Sequence, residues 1–388
     1  MTSYAKGQKK QTSLMVSILS LSLLTVMAGA AVAPALGVIQ AYFADSNQLF
    51  VQMIVSIPAI FIVMTNFIFP KLCARFGAKV LVTIGLIFYV FGGCLAGAFS
   101  NIYMVLITRA FVGLGVGIIM PLSTGLLAYY FEPGEQEHLM GYSSAMNQMG
   151  GVIATLLSGL LANITWRASF LVYLMGLISI VLCLIFLPND NIGDGSHADA
   201  PAQKTSDVLK ENYVYIGAML LLMTIFFVYP TNFAMETIKE GIIPAQYIAV
   251  IMAGMDFVAF FGGMLFVKIK VIFGRNTRFA APVLFCIGYL LMAVVGGWIG
   301  ILTGSVCIGF ANGAGVPFLM SEVSMRAGRS AATTVMPLMS VALYLAQFAC
   351  PFLISVITIV LGDVVPHLPY YFAAVLAGVF VLWSAQMK

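Results

Sequence analysis

The sequence predicts an all-α membrane protein with twelve transmembrane helices, arranged as two pseudo-symmetric halves of six. Of its 388 residues, 61% are apolar and 8% are charged, whereas soluble domains are roughly 45–50% apolar and about 25% charged. The apolar residues form long continuous stretches, as spanning helices require, and lack the ~10-residue alternating segments of a membrane barrel. Glycine and proline positions of the first half also recur in the second.

Twelve stretches approach or exceed the ~20 apolar residues that cross a bilayer core of about 30 Å. They are residues 13–39, 49–69, 80–98, 102–130, 139–162, 168–187, 212–234, 245–267, 279–297, 300–320, 332–360 and 369–386. The first follows three lysines and ends in small residues, which resembles a signal peptide. We interpret it as an uncleaved first helix because it has a counterpart in the second half.

The basic residues predict the orientation in the membrane. Fifteen of the 18 Lys and Arg residues lie in segments on one side, while Arg167 and Lys239 lie on the other and Arg109 lies within a span. Cytoplasmic loops carry the excess of Lys and Arg, so both termini are expected in the cytoplasm. The compact loops favour a multi-pass protein of a plasma membrane, specifically a bacterial inner membrane.

A polar segment divides the spans six and six. Residues 188–211 are rich in Gly, Pro, Ser and Asp, a composition typical of flexible linkers. We therefore predict an N-terminal bundle over residues 1–187, a cytoplasmic linker over 188–211 and a C-terminal bundle over 212–388.

An internal repeat relates the two halves. Pro34 and Pro230 are 196 positions apart, and the same offset relates the Gly-x-x-x-Gly-x-x-x-Pro patterns that start at Gly113 and Gly309. Several coincidences at one offset indicate a duplicated six-helix unit. Many secondary transporters are built from such repeats, with the substrate site near the membrane midplane.

The loop after the second span resembles a signature of the major facilitator superfamily, G-x-L-x-D-R-x-G-R-K. In the segment Pro70–Lys79, the matching positions are Leu72, Arg75, Gly77 and Lys79, and the departures are Pro70, Ala74 and Ala78. In the family, the Asp at this position is expected to cap a neighbouring helix and to help hold the outward-open state. This chain has Ala74 there and lacks that carboxylate.

Three further stretches extend the resemblance over nearly the whole chain. Arg109-Ala-Phe-Val-Gly113 resembles the R-x-x-x-G motif of proton-coupled drug exporters. Trp166-Arg-Ala-Ser-Phe170 resembles the W-R-x-x-F junction between the fifth and sixth spans, and Phe273-Gly274-Arg275 is a weaker second copy of the first loop. The exporters' Gly-Pro-x-x-Gly-Gly stretch is absent, since Ala154–Gly159 occupies its place.

The resemblance implies a major facilitator fold and secondary active transport of a small organic molecule by alternating access, closest to the drug:proton antiporter branch and hence proton-coupled efflux. The alternative is an organic-anion uptake carrier or exchanger that uses Arg109 as its charge partner. The gating loops implied by the resemblance contain Arg75, Gly77, Lys79, Gly274 and Arg275.

Two charged residues within spans are candidates for function, because charges in hydrocarbon usually face a cavity or a partner. Arg109 could bind an anionic group or hold a carboxylate ionised, or it could bind carbonyls of the first span and fix packing. Asp256 is the only carboxylate near the centre of a predicted span. It could carry the coupling proton, remain protonated within the bundle, or form a fixed ion pair with Arg109.

Uncharged polar residues within spans are candidates for substrate contact or for interhelical hydrogen bonds. They are Asn147, Gln148, Asn232, Asn312, Tyr344 and Gln347. At the cytoplasmic ends, we expect Glu322 to pair with Arg326, four residues on. Glu132, Glu135 and Glu137 are expected in a solvated acidic loop that could also form gate-closing ion pairs.

Other classes of function have little support. The sequence lacks a G-x-x-x-x-G-K-[ST] motif, which argues against ATP hydrolysis. Its six cysteines form no C-x-x-C pair, and its three histidines lie outside the predicted spans, so we expect no metal, cofactor or enzymatic activity. A lipid-modifying enzyme and a sensor or scaffold are the other classes considered. The expected partners are a small-molecule substrate, a proton or other coupling ion and the lipid bilayer, without nucleic acid, and the chain is expected to be a monomer.

Overall fold

The structure of the protein, a computed structural model, describes residues 2–190, 205–241, 243–361 and 365–387, apart from the side chains of 2–10, 133–134, 137, 205–209 and 326–334. All regular elements in these ranges are helical. They are α1 Thr2–Ala30, α2 Leu36–Tyr42, α3 Gln48–Cys73, α4 Ala78–Leu95, α5 Ile102–Tyr130, α6 Pro133–Ala162, α7 Met175–Phe186, α8 Thr205–Glu240, α9 Ala245–Phe273, α10 Thr277–Leu290, α11 Gly297–Leu361 and α12 Leu368–Ser384.

Ten helical segments of the described chain are long and apolar enough to cross a membrane, judged by length and composition. One of them, Ala245–Val295, contains both α9 and α10. Gly274 separates these two helices with a φ of +51°, a left-handed conformation that glycine adopts readily. The 17-residue α12 is apolar but shorter than the ten.

The ends of two helices differ from the sequence-based expectations. α6 begins at Pro133, so the prediction of an acidic loop is wrong. Glu132 is the N-cap residue of α6, and Glu135 lies in the first turn of this helix. Carboxylates are favoured there because the N-terminus of a helix carries partial positive charge. α8 begins at Thr205, inside the stretch assigned to the linker, whose residues 191–204 lie outside the described ranges.

The long helical run α11 folds back against α8. Ser305 in its first part hydrogen-bonds the Tyr229 hydroxyl at 2.8 Å, and Cys350 in its last part contacts Thr231. Ser305 and Cys350 would be about 68 Å apart in a straight helix, yet their partners are two residues apart. The run accordingly contributes two apolar segments, Gly297–Met325 and Val335–Leu361.

The chain divides into two compact units. The first comprises Met1–Ser46 with Ile57–Ser196, and the second comprises Asn47–Ser56 with His197–Lys388. The first turns of α3 therefore belong to the same unit as α8–α12.

The repeat found in the sequence recurs as a pair of equivalent helix contacts. In the first unit, a Cβ at Gly113 would lie 2.4 Å from the carbonyl oxygen of Pro58. In the second, a Cβ at Gly309 would lie 2.4 Å from the carbonyl oxygen of Met255. Since 196 or 197 positions separate the members of each pair, the glycines serve the same close helix packing in both units.

This packing predicts the effect of adding one methyl group. Gly113→Ala should destabilise the protein by about 1–3 kcal/mol, the usual cost of overpacking, because the contact is with rigid backbone. Gly125→Ala in the same helix is the matched control, since a Cβ at Gly125 meets nothing within 4 Å. Unfolding of the purified variants in detergent measures both, and equal stabilities would contradict the proposed close contact.

Candidate functional site

Arg109 is the largest charged side chain that the first unit buries completely. Its guanidinium donates one hydrogen bond to the Tyr173 hydroxyl and another to the Ala28 carbonyl oxygen, both at 2.5 Å. Tyr173 in turn donates to the same carbonyl at 2.7 Å. Arg109 thus links α5 to α1 and to the segment before α7.

The Ala28 carbonyl is available because α1 ends beside it. In a continuing α-helix, the N–H of Val32 would bond Ala28, but here it bonds Gly29 at 3.4 Å. The helix axis restarts in a short 3-10 turn, Ala33–Ala35, whose Pro34 has no N–H to donate. Because an unsatisfied carbonyl is costly in hydrocarbon, Arg109 and Tyr173 stabilise this break. The packing interpretation of Arg109 therefore has its expected hydrogen bond.

The second unit satisfies its corresponding proline region with hydroxyl groups. Ser305, which is 196 positions after Arg109, hydrogen-bonds the buried hydroxyl of Tyr229. Tyr289 donates to the Ile225 carbonyl at 2.6 Å and also reaches, at 3.5 Å, the Phe226 carbonyl, which Pro230 in α8 leaves without a helical N–H. Each unit thus places side-chain donors at backbone carbonyls near its proline: the charged Arg109 with Tyr173 in the first unit, and Tyr289 in the second.

Asp256 lies on α9 and is partly exposed. It interacts electrostatically with Tyr229, whose hydroxyl belongs to the pair with Ser305. The neighbouring residue Met255 packs its carbonyl against Gly309, which holds this part of α9 close to α11. The carboxyl group therefore interacts electrostatically with a buried tyrosine while keeping some access to its surroundings.

Two of the uncharged candidates bond mainly to the protein itself. Asn232 is fully buried; its amide nitrogen donates to the Val228 carbonyl at 2.9 Å and its oxygen accepts from Gln52 at 2.7 Å. Gln347 is 7% exposed and donates to the Val55 carbonyl at 3.1 Å. Both contacts join α3's first turns to the helices of the second unit.

The other uncharged candidates are less enclosed. Asn147 accepts a 2.5 Å hydrogen bond from Thr25, and Asn147, Gln148 and Tyr344 are all partly exposed. Asn312 differs from them because its buried side-chain oxygen has no hydrogen-bond partner within the described part of the chain. Since nearly all buried polar atoms are hydrogen-bonded, Asn312 is the candidate whose side chain retains an unused acceptor.

The first predicted gating loop packs against the end of the first unit. A Cβ at Gly77 would lie 2.4 Å from the side-chain oxygen of Asn189, and the N–H of Ala78 donates to the Asp190 carbonyl at 2.9 Å. The Asp190 carboxylate accepts from Tyr130, the last residue of α5, at 2.8 Å. Asp190 therefore ties α4 to α5, although the usual family Asp is missing at Ala74. Arg75 is exposed and Lys79 half-buried.

In the second loop, Glu322 pairs with Lys270 at 2.7 Å and so joins α11 to α9. The expected partner, Arg326, belongs to the residues whose side chains are not described. Arg275, just after Gly274, is exposed.

The Trp166-Arg167 motif lies at the other end of the first unit from the Pro70–Lys79 loop and contacts the neighbouring loops. Arg167 donates to the Gly97 carbonyl at 3.0 Å, to Ser100 at 2.9 Å and to the Tyr42 hydroxyl at 3.1 Å. Trp166 is buried with its ring 5.0 Å from that of Tyr42. One junction thus fixes the ends of α2, α4 and α6.

The sequence analysis did not identify Tyr173, Tyr229 or Ser305. The repeat offset alone could have indicated Ser305, as the counterpart of Arg109. Tyr173 and Tyr229 carry no comparable signal, because tyrosines are common in spans and only the folded contacts distinguish them.

Over the residues that the structure describes, a repeated set of apolar helices without strands, with a few buried polar groups, defines a multi-pass membrane protein. The family model of the Major Facilitator Superfamily matches residues 18–351. The chain belongs to this superfamily, and the resemblance recognised in its motifs is confirmed.

Curated relatives are similar at low identity. The quinolone resistance protein NorA of Staphylococcus aureus (strain MRSA252) is 24% identical over 249 residues, covering 62% of this chain and 63% of that protein. The riboflavin transporter RibZ of Clostridioides difficile (strain 630) is 24% identical over 144 residues, 37% of this chain and 32% of that protein. The matches therefore span less than two thirds of either relative.

Solved structures share the fold. The nucleoside transporter NupG superposes with a TM-score of 0.72 at 13% identity, covering 97% of this chain and 100% of that one. The D-xylose-proton symporter superposes with a TM-score of 0.71 at 14% identity, covering 97% of both chains. Both structural neighbours are named as transporters.

Removal of one hydroxyl tests the structural role of the Arg109 cluster. Tyr173→Phe removes an acceptor from Arg109 and a donor from Ala28, so it should cost about 1–3 kcal/mol of stability, as expected when buried polar groups lose partners. Tyr142→Phe, at an exposed position of α6, is the control. Chemical unfolding in detergent would contradict this role if the two variants were equally stable.

Proposed function

We propose that the chain is a secondary active transporter that exports a small, largely apolar or weakly charged organic molecule by alternating access, in exchange for protons. Membership of the superfamily supports transport, and the similarity to NorA, named for quinolone resistance, supports efflux. The observation that carries the coupling is a partly exposed carboxyl group, Asp256, within an apolar helix and in electrostatic interaction with the buried Tyr229.

We further propose twelve membrane crossings. The segment Ala245–Val295 contains two helices, α9 and α10, and the 17 residues of α12 reach about 26 Å at 1.5 Å per residue. That length is close to the ~30 Å hydrocarbon core. An even number of crossings places both termini on one side, and the distribution of basic residues makes that side cytoplasmic. The proposed location is a bacterial inner membrane.

Asp256 is suited to carry the coupling proton because ionisation of a carboxyl group at this depth is costly. Protonation removes that cost, and the hydroxyl pair of Tyr229 and Ser305 provides polar groups beside it. A change in access during the transport cycle would therefore shift the carboxyl group between its two protonation states.

Arg109 is proposed to act as a positioning residue. Its guanidinium is completely buried and donates to Ala28 and Tyr173. The alternative, an organic-anion carrier with Arg109 as charge partner, has less support because the substrate would have to replace the two acceptors of the guanidinium, the Ala28 carbonyl and the Tyr173 hydroxyl.

The pH-gradient dependence of transport tests Asp256. In proteoliposomes, Asp256→Asn should abolish gradient-driven accumulation while retaining counterflow, since a neutral amide resembles the protonated acid. Asp45→Asn, at an exposed loop position, is the charge-matched control and should retain both activities. The assay uses a panel of labelled compounds that includes a quinolone and riboflavin, the molecules named for the two relatives.

Full gradient-driven accumulation by Asp256→Asn would remove this residue from the coupling mechanism. Absence of counterflow for every compound with the unaltered chain would argue against the proposed substrate class.

Two asparagines separate substrate contact from helix packing. Asn312→Ala should weaken substrate binding by about 0.5–1.5 kcal/mol, the net value of one hydrogen bond, without changing stability. Asn232→Ala should instead lower stability by about 1–3 kcal/mol, because Gln52 loses its buried partner. Half-saturation of counterflow and thermal unfolding measure the two effects, and the opposite assignment would refute this division of roles.

A further inference from the structure

Three side chains that can bind metals meet where α8 ends and α12 begins. They belong to Glu236 and Glu240, on the last turns of α8, and to His367, the N-cap residue of α12. One ligand atom from each lies within 4.8 Å of the other two. All three residues belong to the second compact unit.

The two glutamates occupy positions that are unfavourable for negative charge. They are four residues apart on one helix face, where like charges repel. They also lie at the C-terminal end of α8, which carries partial negative charge. Both are partly buried, with the Glu240 side chain 15% exposed, so water screens their repulsion incompletely. A cation beside them relieves this repulsion, as a protonated His367 or a bound metal ion would.

The imidazole of His367 is oriented towards these carboxylates. Its Nδ1 lies 3.0 Å from the Glu240 Oε1 atom, yet this nitrogen is buried and forms no hydrogen bond of acceptable geometry within the described residues. The ring lies nearly parallel to that of Tyr370, at an angle of 7° and a centroid distance of 6.2 Å. Tyr370 thereby restricts the orientation of the ring.

The backbone of His367 supports the same orientation. Its φ of +57° is left-handed and makes it the one non-glycine residue with positive φ in the described chain. Such a conformation is uncommon for non-glycine residues and persists where the surrounding structure stabilises it.

We propose that Glu236, Glu240 and His367 bind one divalent transition-metal ion, for which Zn²⁺ is the best match. Three protein ligands of the nitrogen and carboxylate type, with water in a fourth position, suit Zn²⁺. The imidazole ligand argues against Mg²⁺ and Ca²⁺, which prefer oxygen ligands. Zn–N and Zn–O bonds of about 2.0–2.2 Å in a tetrahedral site place the ligand atoms ~3.4 Å apart, so ligand atoms that lie up to 4.8 Å apart must approach each other when the ion binds.

The bound ion would join the end of α8 to the start of α12 within one unit. The sequence predicted no metal site because its cysteines form no C-x-x-C pair and its histidines lie outside the predicted spans. Glu240 and His367 are 127 positions apart and meet only in the folded chain. This site is independent of the proposed transport activity.

The experiment measures Zn²⁺ bound by the purified full-length chain, prepared in detergent without a polyhistidine tag. Equilibrium dialysis followed by elemental analysis should give one Zn²⁺ per chain. His367→Ala and Glu240→Gln should each reduce the affinity at least tenfold. His138→Ala, which removes an exposed histidine of the first unit, is the control and should bind like the unaltered chain. Zn²⁺ should also raise the melting temperature of the unaltered chain and of His138→Ala, but not of His367→Ala.

Stoichiometric binding that survives both His367→Ala and Glu240→Gln, or binding below one ion per chain, would overturn the proposal. Loss of the ion in His138→Ala alone would place it at the surface histidine and would also overturn it. Melting temperatures without metal show whether each variant folds. If His367→Ala does not fold, Glu240→Gln combined with Glu236→Gln replaces it, since both changes preserve side-chain volume.

Discussion

The requirement that every backbone polar group in hydrocarbon be hydrogen-bonded governs this structure. Pro34 lies in the 3-10 turn that follows α1, and Pro230 lies within α8; near each of them a backbone carbonyl loses its helical partner. In the first unit Arg109 donates to the Ala28 carbonyl, and in the second Tyr289 donates to the Ile225 and Phe226 carbonyls. The few buried polar side chains therefore satisfy the backbone before they can serve transport.

This constraint separates structural from functional polar groups. Asn232 and Gln347 bond to neighbouring protein groups, so their loss should primarily affect packing. Asp256 remains partly exposed and interacts electrostatically with the buried Tyr229, and Asn312 has a buried oxygen with no partner among the described residues. Members of one fold family can transport different substrates, and side chains such as Asp256 and Asn312 are the ones that can determine substrate or ion specificity.

Local patterns predicted much of the fold. Long apolar stretches indicated the spans, and the offset of 196 anticipated the equivalent contacts of Gly113 and Gly309. The ends of helices were harder to predict. α6 begins at Pro133, so most of the segment expected to be an acidic loop is helical. Hydropathy does not predict such a polar helical turn, whereas the helix dipole favours its carboxylates.

The sequence by itself determined the membrane class, the repeat and the family, because the bilayer imposes apolar length locally and the family motifs are contiguous. Only the tertiary structure decided which side chains meet. Arg109 donates to the Ala28 carbonyl, 81 positions away, and Glu240 lies beside His367, 127 positions away. Those pairings depend on how helices pack and where they end, and a pattern of residue types along one helix does not contain that information.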